Sequence, residues 1–95
     1  MSEFTITKAH HLTAEEARIV AEQMAADLKS RFGLDYAWED PDVLSFKQSG
    51  LAGQFTLTHQ QVTVHVRLGL LLSPLRSTLE RQIHEFVDQR FASSD

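Results

Sequence analysis

Histidine is the first residue type to examine for chemistry in this chain, because imidazole ligates metals and moves protons near neutral pH. There are five. His10 and His11 are adjacent, and on an extended segment neighbouring side chains point to opposite sides, so the two do not chelate one ion. His59 falls at a turn signal, His65 on the polar side of an alternating run, and His84 on the polar side of a helical pattern. No pair has the helical spacing of a zinc-binding face, and HExxH is absent. Ordinary surface histidines account for this pattern, so neither a metal site nor a cofactor is expected. Among the hydroxyls, Ser45, Ser49 and Ser73 are available, yet none stands in a nucleophile-elbow context, and Ser73 reads as a helix cap. The carboxylate pair Glu15-Glu16 suits a helix N-terminus, and Asp40 and Asp42 bracket a turn. Gly50 and Gly53 lack the spacing of a phosphate loop and read as turn and bulge residues. No catalytic residue is assigned, and the protein is expected not to be an enzyme.

Bulk composition narrows the remaining classes. The absence of cysteine removes disulfides, thiolate metal sites and a cysteine nucleophile together. A net charge of −4 and a pI near 5.6 leave no basic patch for phosphate backbones, so nucleic acid is not an expected partner. With 42% hydrophobic and 23% charged residues the chain is apolar enough to fold, and 95 residues make one domain, 1–95, with an ordered core of about 3–91. The start, Met1-Ser2-Glu3-Phe4-Thr5, has no signal-peptide pattern. The longest apolar run is far too short to span a bilayer, so a soluble, cytoplasmic protein is expected.

The elements that must position any site are read from periodicity. Phe4-Thr5-Ile6-Thr7 alternates as a one-sided strand. Thr13 and Glu16 form a capping box ahead of a stripe containing Ala17, Val20, Ala21, Met24, Ala25, Leu28 and Phe32, and Gly33 closes that helix. Four short strands follow, carrying Tyr36 and Trp38, then Leu44 and Phe46, then Phe55 and Leu57, then Val62, Val64, Val66 and Leu68, each interleaved with polar residues. Ser73 is expected as N-cap and Pro74 as first residue of a last helix with the stripe Leu75, Leu79, Ile83, Phe86 and Val87. The tail Ala92-Ser93-Ser94-Asp95 is expected to fray. The fold is therefore α+β, in the order β-α-β-β-β-β-α. Two helices cover one face of a five-stranded antiparallel sheet, a reduced helix-grip arrangement, with the first strand beside the last or at an edge.

Two features carry more than the fold requires. Trp38, the single tryptophan, is expected to be core or half-core with one partner for its indole N–H. The run Leu68-Gly69-Leu70-Leu71-Leu72-Ser73-Pro74-Leu75 is more apolar than a strand end needs. Unexplained apolar residues are usually buried, so the first expectation is that this junction enters the core. The alternative is that Leu70, Leu71, Leu72 and Leu75 face outward as an adhesive patch, and a binding function lives in that alternative.

From Ile6 to Phe91 the chain resembles a family of small bacterial proteins, the polyhydroxyalkanoic acid system proteins, also called the polyhydroxyalkanoate granule-region family. The resemblance rests on His11-Leu12 with Glu16-Ala17-Arg18, Trp38-Glu39, Leu44 and Phe46, Ser49-Gly50-Leu51-Ala52-Gly53, Leu68-Gly69 with Leu71-Leu72, and Leu79-Glu80 with Ile83. Where similar proteins use a tight Gly-Asp turn after the tryptophan strand, this chain has Glu39-Asp40-Pro41-Asp42-Val43, a loop variation. The resemblance implies a link to polyhydroxyalkanoate storage and carries over no catalytic residues. The leading expectation is a non-catalytic accessory protein acting at the granule surface or through a granule-associated protein. A second reading is a hydroxyacyl- or fatty-acyl-binding module with a pocket lined by Trp38, Phe46, Phe55 and Leu79. A third is a regulator acting by protein contact or homodimerisation through the wet sheet face or an open edge.

Overall fold

Alternation of apolar and polar residues builds the sheet seen in the computed structural model, which describes residues 2–91. The strands are β1 (Ser2–Ala9), β2 (Asp35–Asp40), β3 (Val43–Gln48), β4 (Leu51–Leu57) and β5 (Gln61–Leu68). The helices are α1 (Ala14–Phe32) and α2 (Arg76–Arg90), and a short 3₁₀ turn, Ser73–Leu75, precedes α2. The sheet order is β1-β5-β4-β3-β2 with every neighbouring pair antiparallel, so β2 to β5 form a meander and β1 closes beside β5. The expected α+β class, element order and sheet are those of the structure. The tail Ala92-Ser93-Ser94-Asp95 lies outside the described residues.

Register decides which side chains meet. Ile6, Val64, Phe55 and Leu44 stand in one row across four strands, and Phe4, Val66, Gly53 and Phe46 in the next. Apart from Gly53 these residues are buried. Both helices lie on that side, α1 over β2, β3 and β4, and α2 along β1. Ala17, Ala21, Met24, Ala25 and Leu28 supply the inner stripe of α1, and Leu79, Ile83 and Val87 that of α2. The small alanines let α1 approach the sheet closely, while larger strand residues fill the layer between. Surface ties join the pieces: Arg90 to Asp27 at 2.8 Å between the helices, and Lys8 to Asp88 at 3.2 Å between β1 and α2. Part-exposed pairs of this kind add little stability, and the buried apolar layer holds the fold.

The ends of α1 follow their sequence signals. Glu16 N–H donates to Thr13 Oγ1 at 3.1 Å, and Thr13 N–H donates to Glu16 Oε1 at 3.0 Å, a complete capping box. Gly33 takes φ 72°, the left-handed region where a side chain would be strained, and its N–H donates to Lys29 C=O. The start of α2 departs from expectation. Ser73 is not its N-cap: the hydroxyl donates to Gly69 C=O at 3.0 Å, and α2 begins three residues later without a side-chain cap. The 3₁₀ turn supplies the backbone bonds instead, with Arg76 N–H donating to Ser73 C=O and Pro74 sitting where no N–H is needed. Gly53 also differs from its expected bulge role. The β3–β4 and β4–β5 registers run through it unbroken, and the sheet's irregularity falls between Trp38 and Asp40 in β2.

Candidate functional site

The connection from β5 to α2 presents the two most exposed large apolar side chains of the described residues, Leu71 and Leu70, and a third exposed leucine, Leu75. Leu70 is 76% exposed, Leu71 93% and Leu75 48%, and the expectation that this junction enters the core is overturned for all three. Leu72 alone turns inward and packs, half-buried, against the core. The cause lies in the backbone. Gly69 N–H donates to Gly50 C=O at 2.8 Å, which fastens the end of β5 to the β3–β4 turn. Leu72 N–H then donates to Gly69 C=O at 3.2 Å, Ser73 N–H to Leu70 C=O at 3.3 Å, and Leu75 N–H to Leu72 C=O at 2.9 Å. These successive three-residue turns place side chains three apart on one side. Leu71 and Pro74 therefore share the outer side, whereas Leu72 and Leu75 share the inner one and Leu75 is only half exposed.

Gly50 lies against Leu72, and its backbone conformation is what calls for glycine. At φ 83° it occupies the left-handed region, and a Cβ there would sit 3.4 Å from Leu72 Cδ1. Leu72 thus anchors the knuckle while Leu70 and Leu71 point away from the protein and Leu75 stays half exposed at its base. No ionisable side chain occurs from Leu68 to Leu75. The first charge after it, Arg76, is drawn back to the body: its Nε donates to Glu3 C=O at 3.2 Å and a terminal nitrogen lies 3.8 Å from Glu80. What results is a fixed, uncharged, leucine-rich projection. What it offers is desolvation on contact with another apolar surface.

The residues considered for an acyl pocket are not gathered around a common space. Phe55, Phe46 and Leu79 are buried in the close-packed layer, with the Phe46 and Phe55 ring centres 5.2 Å apart. Trp38 lies on the edge strand β2, half-buried, and Leu79 on α2, which runs along the opposite edge strand. Trp38 Nε1 donates to Glu22 Oε1 at 2.9 Å, the partner its indole requires, and the Arg18 guanidinium sits 5.5 Å from the ring centre.

One polar constellation was not visible in the sequence. Thr5 and His65 are cross-strand partners on the open face of the sheet, and Thr5 Oγ1 lies 2.9 Å from His65 Nδ1 while Glu3 Oε1 lies 3.1 Å from His65 Nε2. Hydroxyl, imidazole and carboxylate are connected in the order a nucleophilic triad would use. However, all three stand part-exposed on an open sheet face, and Thr5 does not line the shallow depression beside them formed by Ala52, Gly53, Gln54, His65 and Arg67. Water competes for each of these bonds, so the group ties β1 to β5 and offers no shielded place for an acyl intermediate.

His10 corrects the view that the histidines all lie at the surface. It is 2% exposed, its Nδ1 accepts from Leu12 N–H at 3.1 Å, and its ring lies 5.6 Å from that of Phe91. Its Nε2 has no partner among the described residues. Among those residues, no three His, Asp or Glu side chains gather as a metal would need. Among the described residues no helix is long and apolar enough to cross a membrane.

No curated protein and no solved structure matches the chain. The sequence profile of the family described as "Putative polyhydroxyalkanoic acid system protein" matches residues 4–91, a span that contains both helices, the leucine knuckle and all but the first residues of the sheet. The chain belongs to this family.

Proposed function

We propose that this protein is a non-catalytic, cytoplasmic accessory of polyhydroxyalkanoate storage that adsorbs to the polyester surface through Leu70, Leu71 and Leu75. The observation that carries the reading is the knuckle itself, three exposed leucines on a hydrogen-bonded turn with no charge among them. Family membership supplies the hydrophobic surface: the polyhydroxyalkanoic acid system is named for a polyester. Together the three side chains leave roughly two leucines' worth of apolar surface to remove from water, on the order of 3–6 kcal/mol gross. The loss of translational and rotational freedom on binding comes off this gross figure, so one knuckle alone gives only weak, reversible contact. Firm attachment needs a second contribution, from a coat protein or from two knuckles on one assembly.

Co-sedimentation of the purified protein with polyhydroxyalkanoate granules, native and stripped of their protein coat, tests this. Pelleting with stripped granules is the expected result. Pelleting only with coated granules would replace direct adsorption by a protein partner. Pelleting with neither would remove the proposal and turn attention to acyl compounds, which if bound would raise the melting temperature.

A further inference from the structure

We infer that the edge strand β2 and the helix α1 beside it form a docking groove for a short extended peptide of alternating basic and apolar residues. β2 ends the sheet, so one side of its backbone has no strand partner among the described residues. Such an edge accepts an added strand, and a helix flanking it provides side-chain pockets. Here α1 and β2 enclose a groove of about 390 Å³ lined by Ile19, Glu22, Gln23, Ala26 and Tyr36. Ile19 lies on the outer side of α1, 53% exposed, where the core has no use for it.

Charge selects the occupant. Asp35, Glu39 and Asp40 are three of the six residues of β2, which carries no cation; Lys47 of β3, opposite Asp35, offsets one of these charges, and Glu22 is the carboxylate of the groove lining itself. Arg18, the cation nearest on α1, is already over the Trp38 ring. A second copy of β2 paired antiparallel about Ala37 would set Asp35 opposite Glu39 twice, and like charges directly opposite destabilise a strand pair. The edge therefore repels itself and suits a strand bearing Lys or Arg. In an added strand, residues opposite Asp35 and Ala37 face the acidic outer side, and the residue opposite Tyr36 faces Ile19 and Ala26. The β2–β3 register shifts before Asp40, so an added strand pairs with Asp35 to Glu39 and a peptide of about five residues fills the site. This docking surface does not depend on the granule reading.

The single tryptophan, bonded to Glu22 of the groove lining, reports occupancy. The experiment titrates the full protein with blocked Lys-Val-Lys-Val-Lys, with Glu-Val-Glu-Val-Glu, and with a backbone N-methylated form of the first peptide, following Trp38 fluorescence. Expected is a saturable change with the basic peptide, weaker by at least about tenfold with the acidic and methylated ones, and lost in Ile19→Arg at an unchanged melting temperature. Equal response to all three peptides, no saturation, or binding indifferent to Ile19→Arg would overturn the proposal. So would a concentration-dependent dimer that Ile19→Arg abolishes, since the occupant would then be a second copy of the chain.

Discussion

Gly53 has almost no space above its Cα. A Cβ there would lie 2.6 Å from His65 C=O and 2.6 Å from the Phe46 ring, so the ring occupies the volume a side chain would need. Gly53→Ala is expected to cost about 1–3 kcal/mol through overpacking, read as a lower melting temperature with far-UV circular dichroism preserved. The sequence shows a glycine amid alternating residues, which equally describes a bulge, and only the register that puts Phe46 opposite it separates the two. Trp38 was legible because a lone indole demands an N–H acceptor, although its partner sixteen residues earlier could be found only by folding α1 over β2. His10 and the Thr5–His65–Glu3 group were not legible. The one depends on Phe91 closing over a segment beyond the strand, and the other joins residues sixty positions apart.

At the scale of elements, strict alternation and a complete capping box made every strand and α1 readable in the chain. Thr13→Ala removes one half of that box and is expected to cost about 1 kcal/mol, measurable by urea denaturation. The junction between β5 and α2 resisted reading because its turns have neither the helix nor the strand period. Four leucines of the same type therefore gave no sign of which one faces inward. What sorts them is the bond from Gly69 N–H to Gly50 C=O, a contact between two turns distant in sequence. Two opposite outcomes follow within one run of residues. Leu72→Ala removes the anchor and is expected to lower stability by about 1–3 kcal/mol, whereas Leu71→Asp, on a side chain that touches almost nothing, should change it by no more than about 0.5 kcal/mol. Chemical denaturation of the two variants side by side checks the assignment.

The whole molecule measures about 39 × 24 × 20 Å, the thickness of one sheet and one helix layer, and the buried side chains fill that interior. A protein of this form meets its partners at its surface, and its fold class and family were both apparent in the sequence. The proposed contact surface was not, because it depends on which leucines the turns expose. With a net charge of −4 and an uncharged knuckle, adsorption to a polyester should survive high sodium chloride and strengthen in sulfate. Sedimentation across a salt series would show it, and loss of binding at high sodium chloride would mark the contact as ionic. The most direct test of the account compares the protein with its Leu70→Asp, Leu71→Asp double variant on stripped polyhydroxyalkanoate granules, with both melting temperatures measured. The account predicts that the variant stays in the supernatant while melting with the parent protein. If the intact variant pelleted like the parent, the leucine knuckle would not be the adhesive surface.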